Sequence, residues 1–226
     1  MMPIVWSLSV LWFGHPRPSA PPPPVSVAPR ATVVVAVERN RALSDALADA
    51  IVAEAAVIWR PLGVETQSRP ADAVRSPVMV SVVVEDSEPP AGSESLGWIH
   101  FLGTGRPEPI IYLSRAAATR LLDDDRASRE LPLQRHDALI ARILGRALAH
   151  ELGHYLLAST HHTAHGLMRA SWPLGALVSQ ERIGFELTLA EISELQEQST
   201  AAPSPVLRTR NGSPEDLVAD QPREGH

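Results

Sequence analysis

The run His150-Glu151-Leu152-Gly153-His154 constrains this chain more than any other stretch, because it sits inside an apolar repeat that only a helix satisfies. From residue 136 or 137 to about residue 158, Leu139, Ile143, Ala147 and Leu157 fall on the same stripe as His150 and His154. Residues four apart share a helix face, so the two imidazoles point inward together and can meet one divalent ion, with Glu151 beside them. Neutral imidazole suits zinc; a third protein ligand leaves a fourth position for water, whose proton a glutamate can take. The pattern points to metal-assisted hydrolysis. A single inward histidine is more often a hydrogen-bonded core residue, but two at this spacing around a glutamate reverse that order.

The segment that follows supplies candidates for the third ligand. Ser159 and Thr160 favour a turn, and His161, His162 and His165 come within a few residues of it. On spacing alone any of the three can complete the site. Gly166-Leu167-Met168 comes next, followed by residues 169–173 and an apolar stretch to residue 178.

Composition narrows the alternatives. The 226 residues hold one domain with a sizeable core plus extensions. A formal charge of −6 with no basic stripe argues against nucleic acid as a partner. All basic residues are Arg and none is Lys, which reads as coding bias. The absence of cysteine excludes disulfides, thiolate metal ligands and a cysteine nucleophile.

Taken in order, residues 1–14 (MMPIVWSLSVLWFG) are too short to span a bilayer and match the apolar part of a signal peptide. No basic residue precedes the run, and Pro21 follows Ala20 at the cleavage junction. Export to the periplasm or the exterior is expected if residues 1–20 act as a signal, and a cytoplasmic location otherwise. Residues 16–29 are too rich in proline for helix or central strand, so residues 1–30 form an apolar segment and an extended linker.

Residues 31–37 (ATVVVAV) read as a buried strand, and residues 43–59 as a helix with Leu43, Leu47, Ile51, Ala55 and Ile58 on one face, stopped by Pro61. A short strand at 64–66 is expected next. Residues 77–85 (PVMVSVVVE) form the strongest strand and belong near the centre of a sheet. Strands at 96–101 and 110–113 follow, then a helix over 116–122 that Ser114 caps. Asp123 to Asp125 lack the further oxygen ligands of a calcium loop and read as a solvated acidic end. Residues 188–196 (TLAEISELQ) form a closing amphipathic helix, and the polar tail from 199 to 226 is expected to be disordered. This order gives an α+β fold with helices packed on a sheet, and a single domain over 31–198.

The run HELGH, a later histidine and a methionine beyond it resemble the metzincin clan of zinc metallopeptidases, whose motif is HExxHxxGxxH followed by a Met-turn. HELGHYLLAS, then His162, then GLM with Arg169 and Trp172, looks more closely like a bacterial group of metzincin-like proteases. The resemblance covers about residues 31–198 and implies a mixed, mostly parallel twisted sheet with a long active-site helix. It also implies Zn2+ held by His150, His154 and His162, Glu151 as general base, Met168 as the Met-turn residue, and a peptide or protein substrate. Two positions depart from the clan pattern: Leu157 stands in place of the glycine, and Thr160 in place of the third histidine.

Two further readings stand beside this one. HELGHYLL also looks like intracellular HExxH regulatory proteases with a carboxylate third ligand, for which Glu181 or Glu186 would serve. A non-catalytic zinc-binding protein is the third, and it would have all four metal positions filled by protein, with His161 or His165 as the fourth. For a peptide substrate, residues 110–113 are a candidate edge strand for strand addition, and internal sheet pairing is the alternative that weighs at least as much.

Overall fold

The computed structural model describes residues 31–38, 43–70, 79–90, 95–103 and 105–200. The signal-like run at 1–14, the proline-rich linker and residues 201–226 of the tail lie outside the described residues. Among the described residues no helix is long and apolar enough to cross a membrane.

Strand β1 (Ala31–Val37) leads through helix α1 (Asp45–Trp59) to β2 (Val64–Pro70), a parallel crossover unit. Ser44 caps α1 by accepting from the Leu47 N–H at 3.2 Å. Pro61 lies in the single 3-10 turn Arg60–Leu62 that ends this helix, and Gly63 turns the chain at φ 73°. Strands β3 (Met79–Glu85), β4 (Gly97–Phe101) and β5 (Pro107–Ser114) complete the sheet. Its order is β2-β1-β3-β5-β4, parallel throughout except for β4, which runs antiparallel to β5. The sheet is therefore mixed and mostly parallel, with β3 at its centre as its β-branched run required.

The expected strand at 110–113 is present within β5, but it is not an edge. It pairs with β3 on one side and β4 on the other, so both its backbone rims are used within the sheet. The edges of the sheet are β2 and β4, and β4 is the one next to β5. Stacking of Trp98 on Tyr112, with centroids 5.4 Å apart, pins this antiparallel pair.

After β5, Ser114 caps α2 (Arg115–Asp124), and Asp125 caps the single turn α3 (Arg126–Arg129) by accepting from Ser128 N–H. The acidic run is thus a helix junction, in which hydrogen bonds from Ser128 hold the Asp125 carboxyl below its usual range. The long helix α4 (Leu133–Leu157) begins one turn earlier than its apolar stripe indicates, because residues 133–137 are largely solvent-facing and carry no periodic mark. It packs along α1 and over β4 and β5. A short helix α5 (Leu174–Val178) and the closing helix α6 (Leu189–Thr200) follow. The core between sheet and helices is aliphatic: Val35, Val82, Ile111, Ile51, Leu144 and Leu148 are all fully buried.

Candidate metal centre

Helix α4 brings His150 and His154 onto adjacent turns, and the chain after its end returns His162 to meet them. The Nε2 atoms of His150 and His154 are 3.0 Å apart, and each is 3.3 Å from Nε2 of His162. These contacts are not a set of mutual hydrogen bonds. His150 Nδ1 donates to the Leu167 carbonyl at 2.8 Å, and His154 Nδ1 donates to the Ser159 carbonyl at 2.6 Å. A carbonyl only accepts, so each of these rings spends its proton on Nδ1 and turns a bare lone pair inward. Burial presses the same way. It pushes His150 down to about 4, outweighing the Leu167 bond that opposes it, and it lowers His154 as well.

Two lone pairs turned on each other at 3.0 Å repel, and a cation placed between them and within reach of His162 Nε2 relieves that repulsion. Nitrogen ligands at about 2.0–2.1 Å around a tetrahedral zinc lie roughly 3.3 Å from one another, close to the separations seen here. The residues present therefore fit a divalent metal, and the two backbone carbonyls behind the rings fix the tautomer that a ligand needs.

Glu151 follows His150 on the helix and is buried, which pushes its carboxyl up to about 8. It lines the same cleft as the three histidines, a space of about 880 Å³ walled by β4, α2 and residues 169–172. Gly97 of β4 is what lets the sheet come so close. A Cβ there would stand 3.2 Å from Glu151 Cγ and 2.9 Å from Leu113 Cδ2. Met168 is 1 % exposed and lies under α4, where a Cβ added at Gly153 would meet its sulfur at 2.2 Å. The glycine inside HELGH is thus a site of close approach.

Helix α4 ends without glycine. Ala158 takes the left-handed conformation at φ 47°, and the Ser159 N–H returns to the His154 carbonyl at 3.3 Å. Thr163 then closes the loop, its N–H donating to the Met168 carbonyl at 2.9 Å and its one hydroxyl proton shared between the His165 carbonyl at 2.7 Å and Glu191 Oε1 at 3.2 Å. Glu191 also accepts the Thr188 N–H at 2.6 Å, and its own N–H donates to the Thr188 hydroxyl, a capping box that starts α6. One buried carboxylate thereby joins α6 to the loop that carries His162.

The other ligand candidates lie apart. His161 and His165 are exposed, and among the described residues the grouping that can hold a metal is His150, His154 and His162. The Glu186 carboxylate accepts from the Gly184 N–H at 2.8 Å, and Glu181 offers its backbone carbonyl to Arg146. Neither belongs to that grouping. Reasoning from sequence missed Gly97, Gly153 and Glu191; a glycine inside a strong helical repeat was the available signal for one of them.

Fold and site together define a mostly parallel sheet domain with a three-histidine metal centre on and beside its longest helix. No family model matches the sequence, and no curated protein matches it. Among solved structures the chain is similar to the crystal structure of archaemetzincin from Methanopyrus kandleri, with a TM-score of 0.44 and 15% identity, over 74% of this chain and 94% of that one.

Proposed function

We propose that this protein is a zinc-dependent metallopeptidase of metzincin type. The observation that carries the reading is the convergence of three imidazole nitrogens at 3.0 to 3.3 Å, with two of the rings locked from behind by backbone carbonyls. Zinc, when bound there, supplies Lewis-acid activation of water and of the scissile carbonyl.

The chain's own groups supply the remainder. His150, His154 and His162 are the ligands, and Met168 gives the apolar floor beneath them in the role of a Met-turn. Glu151 takes a proton from water and passes it to the leaving amine, and a neighbouring cation counteracts the burial that raises its carboxyl. An extended peptide fits along the outer rim of β4, the sheet edge beside Glu151, where strand addition would align its backbone with the cleft. The three-ligand set with exposed His161 and His165 outside it leaves a position for water, which a purely structural zinc site would fill with protein.

Metal analysis and peptide turnover test the reading together. The full chain is expected to bind one zinc, and Glu151→Gln to keep the metal while turnover falls by about 10²–10⁴-fold. His162→Ala should weaken metal binding, whereas Glu181→Ala and Glu186→Ala should not. Unchanged turnover in Glu151→Gln sinks the mechanism, and a metal site that depends on Glu181 or Glu186 transfers the protein to the carboxylate-ligand class.

A further inference from the structure

An aromatic column runs from the core to the cleft wall, with an arginine at each end. The guanidinium carbon of Arg146, on α4, lies 4.5 Å from the ring centroid of Phe185. Phe185 stacks on Trp172 with centroids 3.9 Å apart and planes 10° from parallel. Trp172 in turn carries Arg169, whose guanidinium carbon is 4.8 Å from the indole centroid. Both arginines and both rings border the cleft that holds the three histidines.

The two ends differ in how their charge is met. Arg146 is buried, and its Nε donates to Glu54 at 3.0 Å while its terminal nitrogens donate to the carbonyls of Ala176, Ser179 and Glu181. Each nitrogen of that guanidinium has an acceptor. Arg169 is partly exposed, is held by stacking, and has no carboxylate partner among the described residues. Arg120, the third arginine on the cleft, already pairs with Glu88. Asp124 puts the opposite sign on the α2 wall, so the cleft distinguishes its ends and is not a general attractor of anions.

We infer that Arg169 is a specificity-determining residue whose missing partner is a carboxylate of the substrate. A planar guanidinium stacked on an indole has lost most of its rotamer freedom, and it presents a fork of donors that matches a carboxylate in a bidentate pair. This rests on the peptidase reading for the identity of the ligand as a peptide. Two peptide groups have the required chemistry: an Asp or Glu side chain, and a free C-terminal carboxylate.

The test uses the zinc-loaded full chain carrying Glu151→Gln, so that binding is measured without cleavage, with fluorescence anisotropy of labelled peptides as the readout. One peptide pair is blocked at both ends and differs by Glu against Gln; the second differs only by a free or amidated C-terminus. The carboxylate member of one pair is expected to bind on the order of 10-fold tighter. The pair that shows the preference names its source. Adding Arg169→Ala should abolish the preference, and Arg169→Lys should retain part of it, with zinc content and circular dichroism unchanged in both. A preference that survives Arg169→Ala, or the absence of any preference or binding in the parent, overturns the inference. Retained preference in a zinc-loaded wild-type chain that cleaves no peptide would instead remove the peptidase reading and leave the carboxylate site in place.

Discussion

Two regions build the metal centre, and they do so by opposite means. Helix α4 delivers His150 and His154 through its own repeat: the spacing between them is set by backbone hydrogen bonds within one element. The loop at 159–165 has no such repeat, and His162 arrives by contacts with distant parts of the chain, through Thr163 to Met168 and to Glu191. A helix makes two ligands nearly independent of the remainder of the fold, whereas a loop makes the third depend on whatever clamps it. The helix is also the better buried of the two, with His154 at 6 % exposure while His162 is exposed.

The strongest test of this contrast lies beneath both regions. Met168 packs under Gly153 of the helix and, through its carbonyl, closes the loop. Met168→Ala should cost about 2–5 kcal/mol of stability, read as a fall in the denaturation midpoint of the metal-free protein. A loss below about 1 kcal/mol would mean that the floor of the site collapses to fill the space.

Glu191 separates the loop from the helix more cleanly. Glu191→Ala leaves the Thr163 hydroxyl only its bond within the loop, to the His165 carbonyl, and removes half of a capping box, so zinc affinity in a chelator competition should fall by up to about 10-fold and stability by about 1 kcal/mol. Glutamine can serve in the same capping box, and Glu191→Gln should restore most of both. Equal zinc affinity in all three proteins would show that the loop holds His162 without α6.

The smallest effect is expected at the junction of the two regions. Ala158 sits at φ 47°, where a side chain is disfavoured, so Ala158→Gly should stabilise the fold by up to about 1 kcal/mol. Chemical denaturation of the metal-free protein measures it, and destabilisation would indicate that the turn is held by more than its cap.

The same contrast explains what could be read from the sequence. Helices α1, α2, α4 and α6, the central place of β3 and the pairing of His150 with His154 follow from local pattern, which is fixed by the residues themselves, whereas the short helices α3 and α5 carry too few turns to show one. Spacing alone left His161, His162 and His165 equivalent, because the loop is held by contacts that spacing does not carry, from Thr163 to Met168, to His165 and to Glu191, 28 residues further on. Whether residues 110–113 lie at an edge or inside the sheet stayed open for a related reason: a strand's own composition carries its burial but not which neighbour lies on each side, and β5 turns back onto β4 while also pairing with β3. Gly97 carried no sign of its role and Gly153 only that of a glycine inside a helical repeat, because what they admit, the Glu151 stem and the Met168 sulfur, lies on other elements.

The central claim is that one metal is held by two helix histidines and one loop histidine. X-ray absorption spectroscopy of the zinc-loaded full chain, compared with His162→Ala, tests it most directly. The wild type should show three imidazole nitrogens at about 2.0–2.1 Å, and His162→Ala should show two. A shell of two imidazoles and a carboxylate in the wild type, unchanged by His162→Ala, would contradict it.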